Sequence, residues 1–257
     1  MNRKTRDVII GILIFSFFTG MVVWLYNRES GMKRRDLERH MRELSPMGGV
    51  PQGDNLLKAI QLYEAQIELN IRDGAQAGAY WKILARRFAD RGMHVLALEA
   101  LENAIKYNAE DPALFAWTGD SAFVVARSIV DANADSIAEK QRYYKMAEDA
   151  YRRSIELDPD YARPRHGIGE LYTRDLGRPL DAISHLERYH LINPNDISGM
   201  DLLAEANFLA ARETSDVRRS RELNDRAIAL YDQIILRSNN QEDVMEAARI
   251  REIIRNN

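Results

Sequence analysis

The sequence contains no cysteine. That absence removes disulfide frameworks, thiolate nucleophiles and cysteine-ligated zinc or iron–sulfur sites together. It leaves the redox compartment open, because a disulfide-free chain is compatible with either side of a membrane. Proline and glycine are sparse, at 7 and 14 of 257 residues, which argues against collagen-like and disordered architectures. Beyond Asn55 there is almost no strand signal, and apolar residues recur three and four apart, as helices require. Charge of one sign is also lacking overall: 36 Lys and Arg stand against 39 Asp and Glu, a net charge of -3. The balance is uneven along the chain. Residues 1–50 carry nine basic and five acidic side chains, whereas the remainder has a net charge of -7. A body of that sign is a poor polyanion binder, which argues against nucleic acid as the main ligand.

One long hydrophobic run is present. Val8 to Tyr26 reads VIIGILIFSFFTGMVVWLY, 19 residues without charge or proline. As a helix it is about 28 Å long, close to the hydrocarbon thickness of a bilayer. Trp24 and Tyr26 lie at its distal end, where amphipathic rings favour the headgroup layer. The run is longer than the apolar region of a signal peptide and no small-residue cleavage site follows it. The expectation is therefore an uncleaved single-pass anchor within residues 1–30. The basic flanks are nearly balanced, with Arg3, Lys4 and Arg6 before the run and Arg28, Lys33, Arg34, Arg35 and Arg39 after it. The short basic tail resembles a bacterial signal anchor, which would put the protein in the bacterial inner membrane with its body outside the cytoplasm.

Residues 31–54 read as a basic, helix-compatible segment followed by a Pro/Gly linker, SPMGGVPQGD. From there on, short breaks separate helical patterns: Arg72-Asp73-Gly74, Arg91-Gly92, Asn108 to Pro112, Asp158-Pro159, Leu176-Gly177 and Asn193-Pro194. Helices joined by such turns form antiparallel hairpins. The pattern also repeats. Second helices carry Ala59-x3-Tyr63, Ala97-x3-Leu101, Ala147-x3-Tyr151, Ala182-x3-Leu186 and Ala227-x3-Tyr231. First helices carry Trp81-x2-Leu84-Ala85, Phe115-x2-Thr118-Gly119, Arg165-x2-Ile168-Gly169 and Met200-x2-Leu203-Ala204. Pro159 and Pro194 close two of the units.

This register resembles the tetratricopeptide repeat (TPR) family, whose unit is about 34 residues long with small residues at these places. The resemblance covers residues 55–240 and implies an all-α, right-handed helical-hairpin solenoid, here preceded by the single transmembrane helix. The alanines are 38, 50, 35 and 45 apart, so extra residues fall near 126–141 and 211–222. These charged insertions are expected to lengthen helices or form protruding turns. Residues 241–257 read as the amphipathic capping helix that an open-ended solenoid needs.

No constellation of residues points to catalysis. His40, His94, His166, His185 and His190 lack metal-ligand spacing, and the H-E-x-x-H, G-x-S-x-G and Walker patterns are absent. Gly167-Ile-Gly169 lies on a helix with no strand before it, so it is not a nucleotide loop. No cofactor, no metal and no enzymatic activity are expected. The resemblance implies instead that the exposed faces of the first helices line a concave groove. By register that wall carries Lys82 and Arg86, then Asp120 and Phe123, then Arg163, His166, Glu170 and Arg174, and finally Asp201, Glu205 and Phe208. Exposed phenylalanines at 123 and 208 would need a ligand, an insertion or the capping helix to cover them. Some family members clamp a partner's C-terminal carboxylate with lysine, asparagine and arginine. Here Lys82 and Arg163 match, Arg86 and Trp117 replace the asparagines, and Gly167 replaces the second basic residue, so the clamp is incomplete.

The function implied is a membrane-anchored adaptor that binds a protein or peptide in its groove and keeps it at the lipid surface, where tethering raises local concentration. Anchored relatives of this family suggest an accessory role in bacterial envelope assembly, secretion or cytochrome maturation. The alternatives are an oligomerising scaffold and a non-catalytic regulatory subunit of a membrane enzyme.

Overall fold

Helix caps and turn glycines fix most of the element boundaries. The structure, a computed structural model, describes residues 54–256. Its helices are α1 (Asp54–Ala89), α2 (His94–Tyr107), α3 (Pro112–Ser128), α4 (Ala134–Leu157), α5 (Ala162–Glu170), α6 (Pro179–Ile192), α7 (Ile197–Glu213), α8 (Val217–Arg237) and α9 (Gln241–Arg255). A π-helical turn, Leu171–Asp175, continues α5. The chain divides into two compact units, Met1–Gly74 and Ala75–Asn257, and the helical stack described below lies in the second. The Asp111 carboxylate accepts the Ala113 amide and caps α3, with Pro112 at its first position. Asn133 and Ser136 form a reciprocal capping box on α4. Asp196, Asp216 and Asn240 cap α7, α8 and α9 through their side-chain oxygens. Gly92 and Gly177 take positive φ, 71° and 60°, in the turns that close α1 and the π-turn. The break expected at Arg72-Asp73-Gly74 is not a helix end, because α1 continues through it.

Each helix packs on the next in sequence, from α2 on α3 through α8 on α9. The first helices of successive hairpins also touch, α3 with α5 and α5 with α7, so they stand side by side as one wall. The small residues make this spacing possible. Ala97, Ala147, Ala182 and Ala227 are fully buried on the second helices, and Ala85 and Ala204 on the first. A Cβ added at Gly119 or Gly167 would come within 2.5 Å of the Tyr151 ring. Tyr151, Leu186 and Tyr231 fill the space between hairpins and are almost wholly buried. The two long connections are mostly taken up as helix, with residues 129–133 and 214–216 left as turns. α4 has 24 residues and α8 has 21, against 14 in each of α2 and α6.

The membrane anchor expected over Val8–Tyr26 falls outside the described residues. Among the described residues no helix is long and apolar enough to cross a membrane. The cause lies in the helices themselves: even α1, with 36 residues, carries Lys58, Glu64, Glu68, Arg72, Lys82 and Arg86 along its length. The fold is corrected accordingly to what the described residues show, an all-α helical-hairpin stack with no membrane-spanning helix among them. The single-pass inner-membrane location, the membrane contact through residues 8–26 and the anchored form of the adaptor rested on that run, and no described helix supports them.

Candidate functional site

Acids and bases on the first-helix wall pair with one another, most of them across neighbouring hairpins. At the α1 end, Lys82 Nζ lies 2.5 Å from Asp111 Oδ2, and Arg86 Nε lies 2.8 Å from Asp90 Oδ1. Both cations also sit over the Trp117 ring, at 5.4 and 5.7 Å from its centroid. In the middle, Asp120 accepts hydrogen bonds from the Tyr151 hydroxyl at 2.9 Å and from Arg163 Nε at 2.6 Å. Burial first, and the Asp120 charge second, hold the Tyr151 phenol well above its ordinary pKa, so it remains a donor at neutral pH. Arg127 donates to Glu170 at 2.9 Å. Arg174, on the π-turn, reaches Glu205 at 2.7 Å, with Asp201 at 3.7 Å and Glu170 at 3.8 Å. His166 packs edge-on against Tyr189, 5.0 Å between centroids.

The two phenylalanines sit deeper than a solvent-facing wall requires. Phe123 is only 6% exposed. Tyr144 from the lengthened α4 and the Arg127 guanidinium cover it, and its edge still lines the groove floor. Phe208 is half-buried against the core beneath Arg212. The structure thus gathers Asp120, Phe123, Arg163, His166 and Glu170 around one cavity of about 490 Å³. Arg86, Asp120 and Arg163 also border a smaller one of about 260 Å³ beside Trp117. Asp201 lies at a third cavity, where α7, α8 and α9 meet.

Sequence reasoning missed a second polar cluster, between α4, the π-turn and α6. Glu148 accepts from the Tyr172 hydroxyl at 2.8 Å and pairs with Arg152 at 3.0 Å and Arg178 at 3.3 Å. Burial pushes this carboxyl up, but the Tyr172 hydroxyl and the two guanidiniums outweigh it, leaving Glu148 below the usual range. The only signal in the sequence was the i,i+4 spacing of Glu148 and Arg152.

No family model matches this sequence, and no curated protein matches it either. Solved structures do match. A thermophilic TPR protein of Thermus thermophilus superposes with a TM-score of 0.51 at 17% identity, over 85% of this chain and 98% of that one. The fold is a TPR-like helical solenoid. Two structures of MamA also match, one at TM-score 0.46 and 16% identity over 79% of this chain and 94% of that one. The other, from Desulfovibrio magneticus RS-1, has TM-score 0.45 and 15% identity over 70% and 94%. Identities this low reach the fold alone. The solenoid part of the expected resemblance stands, and the anchor joined to it has no support among the described residues. Asp120, Glu170 and Glu205 are each held by an arginine, not poised against a nucleophile or a free base. Among the described residues no group of three or more His, Asp or Glu is placed to hold a metal ion. The carboxylate clamp loses its two matching cations as well, Lys82 to Asp111 and Arg163 to Asp120.

Proposed function

We propose that the solenoid is a scaffold whose first-helix wall binds an extended segment of a partner protein. The observation that carries this reading is the ladder of half-exposed ion pairs bridging adjacent hairpins: Asp120 with Arg163, Arg127 with Glu170, and Arg174 with Glu205. Such pairs contribute little to stability at a wet surface, about 0–1 kcal/mol each. They are instead suited to recognition, because a partner's charges can exchange into them at little cost while cavities between them take side chains. The wall so defined comprises Lys82, Arg86, Asp120, Arg163, His166, Glu170, Arg174, Asp201 and Glu205, with Phe123 and Phe208 as partly covered floor.

Charge reversal at the wall tests it. Arg174→Glu, set against a control on the second-helix side such as Arg153→Glu, should keep helix content by circular dichroism. Affinity capture by the full chain should then lose its partner with the first variant and keep it with the second. Recovery of the same partner by both would refute the wall. Phe123→Ala is a poor probe here, since emptying a buried phenylalanine site costs about 3–5 kcal/mol of stability.

A further inference from the structure

The first hairpin of the described stack leaves bare the positions that later hairpins bury. By register, Tyr80, Ile83 and Arg87 of α1 stand where α3 has Leu114, Trp117 and Ser121, and where α7 has Gly199, Leu202 and Ala206. Leu114, Ser121, Leu202 and Ala206 are at most 2% exposed. The preceding hairpin covers them: Leu114 clusters with Ala100, Leu101 and Ala104 of α2, and a Cβ on Gly199 would meet Tyr189 of α6. On α1 the same stripe is open. Tyr80 is 70% exposed and Ile83 50%, and both share the helix side opposite the buried Ala85. Arg87 makes no ion pair among the described residues. Nor does Arg91, in the turn after α1, which donates only to the Arg87 carbonyl, at 3.4 Å. The outer face of a terminal repeat is ordinarily polar, because solubility requires it. This one is apolar with basic residues at its edge, the mark of an interaction surface.

The opposite end of the stack is its complement. Where α7, α8 and α9 meet there is a cavity of about 1090 Å³ with Ile197, Ile234 and Met245 in its lining. Met245 is 66% exposed, and no described helix follows α9 to cover it. Here the uncommitted charges are acidic. Glu242 pairs with no cation among the described residues, and the side-chain partners of Asp243 are Ser238 and Asn240.

Inside the stack, the front of each hairpin packs on the back of the one before it. The same step, taken from one molecule to the next, joins the bare front to the bare back and brings Arg87 and Arg91 to Glu242 and Asp243. We infer that copies of this chain associate head to tail, with the α1 stripe of one copy seated in the α7–α9 cavity of the next. The contact joins unlike faces, so each added copy presents a fresh bare face and assembly grows with concentration. It is separate from the first-helix wall, and either can fail without the other.

The absence of cysteine makes a direct test available. Two versions of the full chain, Ile83→Cys and Met245→Cys, are given different affinity tags and treated with a bismaleimide crosslinker. Both substitutions fall at exposed side chains, so folding is retained. The mixture should yield a covalent dimer carrying both tags, and each version alone should stay monomeric. Adding Arg87→Glu to the first should lower the mixed yield about threefold, the scale of an exposed ion pair exchanged for a repulsion. Glu242→Arg in the second should restore it. No mixed dimer would overturn the inference, and so would a yield indifferent to Arg87→Glu. A dimer from Ile83→Cys alone would mean that like faces meet, which overturns the head-to-tail contact. Equal yield from Ile83→Cys mixed with Arg153→Cys, on the second-helix side, would also overturn it. None of these results bears on partner capture by the wall.

Discussion

Gly119 and Gly167 face the same tyrosine from two helices, and the space between them is what Tyr151 fills. Gly119→Ala would drive a methyl into a ring that is 1% exposed and tied to Asp120, so neither partner can yield. The expected cost is about 1–3 kcal/mol, read as a lower urea midpoint with unchanged slope. Glu148 gives a prediction of different kind. Its folded pKa is depressed, so its stabilisation is present above the unfolded value and is lost as pH falls through the folded one. Glu148→Gln should lower the melting temperature at pH 7, by an effect of about 1–3 kcal/mol. The gap from the unmodified protein should close below about pH 4. A gap that persists into acid would mean that the carboxylate charge is not what matters there. The small residues were legible because close helix packing admits few substitutes. The partners of Glu148 were not, because Tyr172 and Arg178 meet it through tertiary packing that no local spacing encodes.

Helix boundaries follow from caps wherever an Asp or Asn precedes the apolar pattern. Asn133→Ala removes one half of the capping box on α4 and should cost about 0.5–2 kcal/mol, measured by thermal melting. No change would mean that the first turns of α4 are held by other contacts, such as the ion pair of Lys140 with Asp131. Two elements escaped the sequence. α1 runs through Arg72-Asp73-Gly74, because a single glycine weakens a helix without ending it. The π-turn at Leu171–Asp175 also went unseen. Thr173 turns its hydroxyl back onto the Gly169 carbonyl at 2.7 Å, and Leu176 N–H reaches the Leu171 carbonyl at 3.0 Å. That turn carries Arg174, whose partners Asp201 and Glu205 lie on the next first helix. Placing Arg174 on the wall could be read from repeat register, whereas its three-way pairing could not. The cover over Phe123 was likewise open in the sequence, which allowed a ligand, an insertion or the capping helix. Register put it on the wall, but a longer α4 supplies Tyr144 to cover it.

As a whole, the described stack behaves as hairpins that depend on their neighbours and end in α9. Ala247 and Ile254 of that helix are nearly buried and join the main core. Ile254→Ala should cost about 2 kcal/mol or more, and losses of this kind at the end of a solenoid propagate into the adjoining hairpin. Hydrogen exchange should accordingly quicken in α8 before α4. Equal quickening throughout would indicate one cooperative unit instead of a stack. The stack itself was legible because its alanine register recurs despite the insertions. The cross-hairpin ion pairs were hidden by those same insertions, which change the sequence distance between facing residues from 31 for Arg174 and Glu205 to 43 for Asp120 and Arg163. The central claim is that the partner lies along the first helices. A photo-crosslinking residue placed at position 166, beside Tyr189, and in a parallel protein at position 153, on the second-helix side, tests it most directly. A partner along the first helices gives a crosslink from position 166 and none from 153. Equal crosslinking from both, or crosslinking from 153 alone, would contradict it.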